Sequence, residues 1–280
     1  MIVQLYLNFV GMRAAILDLN NQVANKGIGY IKNLLEIYGI PYEVFDVRHE
    51  CRIPDTGFDL YVSSGGPGSP FDMDGVWDKK YFALVNALWA YNRSEADVSK
   101  RKYVFFICHS FQLACIHFGI GKISQRGTKS FGTFPTYKTD AGRLVPFFAA
   151  LPDPFWIADF RDWQVTDADA EELSKRGIEI AAIECPRKDA RNPRAVMAVR
   201  LSREMFATQF HPEADAEGML DYFQQREKRN QLIEEQGMEN YLAMINDLED
   251  PLKIELTHKT VLPAFIEDAL KNIGKHEVVR

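Results

Sequence analysis

Hydrophobic residues in the first half of the chain recur in two alternating rhythms. Residues 13–19 (RAAILDL) form a short apolar run, and after an Asn-rich turn Ile28, Ile31, Leu34, Leu35 and Tyr38 return at helical spacing, closed by Gly39. That pair predicts a strand followed by a helix. Residues 42–47 (YEVFDV) alternate as a second strand, and residues 59–63 (DLYVS) read as a third that ends in the Gly/Pro-rich turn SGGPGSP. A helix is predicted over 75–91, with Val76, Tyr81, Leu84, Val85, Leu88 and Trp89 on its apolar side, followed by a charged surface loop over 92–102. Residues 103–107 (YVFFI) then run without a polar break into Cys108, and apolar positions 111, 114, 115 and 118 follow at helical spacing.

From 129 to 210 helical spacing fades, and SFGTF, FWIADF, IEIAAIE, AVMAVRL and MFATQF predict short strands paired as hairpins. The last of these runs straight into HPEAD at 211–215. Beyond it the pattern is helical: Met238, Tyr241, Leu242, Ile245 and Leu248 mark one amphipathic helix, and Val261, Leu262, Phe265, Ile266, Ala269 and Leu270 another, with Thr260 as N-cap and Pro263 in the first turn. The whole predicts an α/β protein: a mostly parallel twisted sheet with helices on both faces, a small antiparallel extension and a helical C-terminal extension. The division falls at 1–225 and 226–280. In such sheets ligands sit beyond the carboxyl ends of the strands, where both SGGPGSP and Cys108 lie.

Composition narrows the setting. A net charge of -6 leaves no basic excess for a phosphate backbone or an anionic membrane surface, so neither nucleic acid nor membrane is an expected partner. The apolar stretch in residues 1–16 lacks a basic segment before it and a small-residue cleavage site after it, and a strand is predicted there. Four cysteines (51, 108, 115 and 185) show neither a disulfide framework nor a C-x-x-C spacing, which points to a reducing, cytoplasmic setting. His49, His117, His258 and His276 have no ligand spacing, so no metal is assigned, and no cofactor is implied.

Three segments could carry chemistry. Cys108 stands where a strand turns into a helix, which would lift its sulfur above the sheet at the positive end of a helix dipole. A buried structural cysteine is the alternative, and Cys115, on the same apolar helix face, illustrates it. His211 and Glu213 in QFHPE could supply a base and its orienting carboxylate from one rigid turn, or could merely begin the next helix. SSGGPGSP at 63–70 could present backbone N–H groups to an oxyanion, or could be only a turn; it lacks the phosphate-loop pattern.

Taken together, SGGPGSP (64–70), VFFICHSFQ (104–112) and ATQFHPE (207–213) resemble the triad-type, class I glutamine amidotransferases in order and spacing, over roughly residues 10–225. The glutamine-hydrolysing domain of GMP synthase is the similar branch. The resemblance implies a flavodoxin-like fold, with Cys108 as nucleophile, His211 as base and acid, and Glu213 holding His211. It also implies an oxyanion hole from the backbone N–H groups of Gly66 and His109, and a role for Gly68 and Gln112 in holding glutamine.

Two departures stand out. Phe106 and Ser110 occupy positions that are glycine in the family's Gly-x-Cys-x-Gly-x-Gln elbow, and larger residues there require small neighbours in compensation. In FRDWQV (160–165), where relatives recognise the glutamine backbone groups, Arg161 could bind an α-carboxylate or could be ion-paired.

Three functions follow. One is a glutaminase that delivers ammonia to an acceptor site on a separate synthase partner, because the residues after 225 are too few for an ordinary synthase domain. Another is a stand-alone γ-glutamyl amide or peptide hydrolase, which the altered elbow would suit. The third is a catalytically silent binding or regulatory protein. The two C-terminal amphipathic stretches further suggest a surface for a homo-oligomer or partner.

Overall fold

The computed structural model describes residues 11–186 and 194–273; the part of the N-terminal strand expected within residues 1–10 lies outside the described residues. The chain opens with β1 (Ala14–Asp18), α1 (Gly27–Ile37), β2 (Tyr42–Asp46), β3 (Leu60–Ser63), α2 (Trp77–Ser94), β4 (Tyr103–Ile107) and α3 (His109–Phe118). It continues through β5 (Lys122–Lys138), α4 (Asp140–Arg143), β6 (Phe155–Thr166), α5 (Ala170–Lys175), β7 (Glu179–Glu184), β8 (Val196–Arg200) and β9 (Met205–Thr208). It closes with α6 (Ala216–Gln224), α7 (Arg226–Gln236), α8 (Met238–Glu249) and α9 (Ile254–Ile273).

All described strands join one sheet in the order β2-β1-β3-β4-β9-β8-β7-β5-β6. The first five are mutually parallel and the remaining four antiparallel. The antiparallel strands outrun the short apolar runs that announced them: β5 covers 17 residues, with a register shift between Gln125 and Ser130. Polar residues such as Arg126 interrupt the apolar alternation there, and the ladder to β6, broken after Gln125, resumes at Ser130 opposite Arg161.

In the parallel half β1, β3, β4 and β9 are buried on both faces, as their apolar runs require, whereas the edge strand β2 is only partly buried. Along β4, Tyr103, Phe105 and Ile107 enter a cluster with α1 and α9, whereas Val104 and Phe106 enter one with α2 and α3. Phe106 is accommodated because its register neighbours on β3 and β9 are the small residues Ser63 and Ala207. The charged segment after the predicted helix is only partly a loop. α2 runs on to Ser94, and buried Asn92 pins the start of β4 by two 2.7 Å bonds between its amide and the backbone of Lys102.

The C-terminal extension differs from its sequence pattern. α9 starts at Ile254, so Thr260 and Pro263 lie inside it rather than at its first turn. Burial of Ile254 and a 2.5 Å bond from Thr257 Oγ1 to the Trp156 carbonyl hold the added turns. Nor is its apolar side left for another copy: Val261, Leu262, Phe265, Ile266 and Ala269 are buried in the chain's own core, Phe265 edge-on to Phe105 at 5.1 Å. α6, α7 and α8 form a third cluster over the β5–β6 hairpin. Among the described residues no helix is long and apolar enough to cross a membrane.

Candidate active site

β3, β4 and β9 lie side by side, and their carboxyl ends deliver the glycine turn, Cys108 and the His-Pro-Glu segment to one edge of the sheet. Cys108 joins β4 to α3 with φ 49° and ψ -98°, a positive φ that costs a non-glycine residue energy and is held only by its surroundings. Those surroundings are visible. The Cys108 N–H donates to the Thr208 carbonyl at 2.7 Å, and the fully buried Ser110 hydroxyl accepts from Ile107 N–H at 2.7 Å. Ser110 Oγ is also 2.8 Å from the Ser63 carbonyl and 3.0 Å from that of Ile107. A serine therefore ties the elbow to β3 where glycine would only have made room.

His211 follows β9, and its Nδ1 lies 2.7 Å from Glu213 Oε1 while its ring also interacts with the Cys108 side chain. Burial disfavours the imidazolium, yet the Glu213 carboxylate and the Cys108 sulfur outweigh it, and the pKa is raised well above 6.5. The backbone must come close for this. A Cβ on Gly65 would stand 2.9 Å from His211 Cε1, and one on Gly66 would collide with the Leu19 carbonyl oxygen. The side chains of Cys108, His211 and Glu213 share the wall of a cavity of about 400 Å³ with Gly66 and Pro67.

Thiol, imidazole and carboxylate thus meet beside a glycine turn on parallel strand ends, and the whole-chain comparison fits that arrangement. The sequence pattern of the family Glutamine amidotransferase class-I matches residues 23–226. The chain belongs to the class I glutamine amidotransferase family. A glutamine amidotransferase from Thermotoga maritima aligns with 93% of this chain and 98% of its own at TM-score 0.65 and 13% identity. The glutaminase domain of CTPS from Trypanosoma brucei, with bound acivicin, aligns with 72% of this chain and 86% of its own at TM-score 0.53 and 17% identity. A protein from Thermoplasma acidophilum described as one of the subunits of GMP synthase aligns with 73% of this chain and 86% of its own at TM-score 0.52 and 17% identity. At these identities the likeness is one of fold. No curated protein matches the sequence.

Not every residue singled out from the sequence of this family member reaches the cavity. Arg161 does not. Its guanidinium, 1% exposed, binds both Asp159 oxygens at 2.9 and 3.0 Å and Glu184 at 3.2 Å. Strand alternation is the reason: Arg161 and Asp159 share one face of β6, and Phe160 takes the other. Phe160 is the residue that arrives, its carbonyl 3.9 Å from Cys108 Sγ and its ring 5.8 Å from that of His211. Gly68 and Gln112 stand outside the cavity wall; Gln112 is buried, donating to Gln209 Oε1 at 3.2 Å.

Gln209 is not among the residues the sequence motifs single out. It is fully buried and its Nε2 lies 3.7 Å from Cys108 Sγ. The available signal was a polar residue between Thr208 and Phe210 at the end of an apolar strand. His109, whose backbone N–H opens α3, has a buried imidazole with its pKa lowered to about 3 by burial and by the Arg48 guanidinium, Asp72 opposing. Among the described residues no cluster of His, Cys, Asp or Glu could hold a metal ion. Cys115 is fully buried, and burial pushes its thiol far up.

Proposed function

We propose that this chain hydrolyses the side-chain amide of glutamine through Cys108, His211 and Glu213, releasing ammonia for an acceptor site on a separate partner chain. The observation that carries this reading is the 2.7 Å contact of His211 Nδ1 with Glu213 Oε1, which leaves the other side of the ring to Cys108. A carboxylate on one ring nitrogen selects the tautomer and supports a charged imidazole, so thiolate and imidazolium form a matched pair.

The thiolate attacks the δ-carbon of the amide. Negative charge collects on the carbonyl oxygen, for which the N–H groups of Gly66 and His109 are the assigned donors; the latter opens a helix and has no intrahelical acceptor. His211 gives its proton to the departing nitrogen as the C–N bond breaks, leaving a glutamyl thioester. Water, deprotonated by His211, then cleaves the C–S bond and releases glutamate. Gln209 is positioned to steady the sulfur, and Gly68 and Gln112 are assigned to the glutamine side of the thiol. A thiol nucleophile suits the reducing, cytoplasmic setting, and all four cysteines are free.

The test is intact and peptide mass after exposure to a diazo-ketone analogue of glutamine, with and without glutamine. Label confined to Cys108 and suppressed by glutamine supports the reading; an unlabelled Cys108 in folded protein overturns it. A stand-alone γ-glutamyl amide hydrolase is the second reading. It is favoured by the size of the cavity on the His211 flank, since ammonia needs only a water-sized site.

A further inference from the structure

The cavity beside Cys108 is far larger than the release of ammonia requires. It is an open cleft of about 400 Å³ that must take the glutamyl part of a substrate at Cys108 and leaves room beyond it, whereas ammonia is close to water in size, about 30 Å³ of liquid volume. Its position defines what could fill it. His211 and Glu213 are on its wall, while Gly68 and Gln112 are not. In amide cleavage the nitrogen that leaves is the one the imidazole protonates, so atoms bonded to that nitrogen extend into the space next to His211.

Part of the cavity wall is aromatic. Phe131 and Phe160 face each other across the β5–β6 ladder with rings 4.9 Å apart, and both meet Phe223 of α6, at 5.7 and 6.3 Å. Tyr30 of α1 also lines it, where α1 and α6 approach so closely that a Cβ on Gly218 would collide with the Tyr30 hydroxyl. Charge enters through Lys26. Its ammonium stands 5.8 Å from the Tyr222 ring centroid. The carboxylate on the wall, Glu213, is engaged with His211. Asp215 and Asp221 lie near Tyr30, and Asp215 is occupied in capping α6 at the Gly218 N–H, 2.7 Å away.

We propose that this cavity is a leaving-group subsite for an amine with an aromatic body and a carboxylate, so that the favoured substrates are γ-glutamyl amides of aromatic α-amino acids. The inference rests on the Cys108, His211 and Glu213 chemistry and deepens its second reading. The amino acid's ring lies against Phe131, Phe160 and Phe223, and its carboxylate pairs with Lys26. The sulfur bonds to the γ-carbonyl carbon, the C–N bond breaks, and the His211 proton completes the free amino acid; water then takes the glutamyl group from sulfur.

Binding to the Cys108→Ala protein separates the subsite from turnover. γ-Glutamyl-phenylalanine should bind at least about tenfold tighter than γ-glutamyl-methylamide, the scale expected for burying a ring. It should also bind about fivefold tighter than γ-glutamyl-phenethylamide, which lacks the carboxylate, and Lys26→Met should abolish that second preference. In the wild-type enzyme kcat/KM should follow the same order. Equal binding of phenylalanine and methylamide derivatives overturns the subsite while leaving the triad chemistry standing, provided the diazo-ketone still labels Cys108. Absence of that label overturns the underlying chemistry instead.

Discussion

In the parallel half of the sheet, β1, β3, β4 and β9 are buried on both faces, and their ends present backbone geometry: a strained Cys108, a glycine turn and the start of a helix. In the antiparallel half, β5 and β6 are covered by α6 and α8 and present side chains, above all Phe131 and Phe160, to the same cavity. Placing a nucleophile needs a rigid backbone that cannot relax, whereas shaping a pocket needs surfaces that can vary one side chain at a time. On the proposed chemistry, reactivity and selectivity fall to separate stretches of sequence.

That contrast can be broken at its strongest point first. Replacing the proposed nucleophile, Cys108→Ser, should lower kcat for glutamine about a thousandfold or more with little change in Tm; turnover within about tenfold of wild type would remove Cys108 from the chemistry. Arg161 marks the opposite kind of residue. Arg161→Met leaves Asp159 buried without its partner and should cost about 3–5 kcal/mol in a denaturant titration with KM unchanged in the folded fraction. A raised KM at unchanged stability would return Arg161 to the substrate.

Ser110 sharpens the comparison inside the parallel half. Ser110→Ala strips the buried Ile107 N–H of its hydroxyl acceptor and should cost about 2 kcal/mol. Stability equal to wild type would mean that the hydroxyl is incidental to the elbow.

The last effect is pH-dependent. His109 has a folded pKa of about 3 against an ordinary 6.5, so the unfolded chain binds its proton first as pH falls. Folded stability is therefore lost between pH 6.5 and 3, by roughly 2 kcal/mol at about pH 5 from this group alone. His109→Leu should flatten that part of the curve relative to wild type; parallel curves would show that the imidazole does not stay neutral in the fold.

Strand and helix rhythm made the parallel half legible in advance, because a strand buried on both faces must be apolar throughout and an amphipathic helix must repeat every three or four residues. The same rhythm located Cys108, His211 and Glu213 at strand ends. What lay beyond its reach depends on contacts between distant segments. Arg161 and Phe160 are adjacent in sequence, yet the β6 pleat sends one into an ion pair and the other to the cavity. Gln209 became relevant only when β9 was laid beside β4. α9 carried the pattern of a surface awaiting a partner, and its own sheet is the partner. Periodicity is a property of one segment, and it determined which faces of this chain must be buried; only the tertiary structure decided against what, because burial is completed by whichever surface the fold brings opposite.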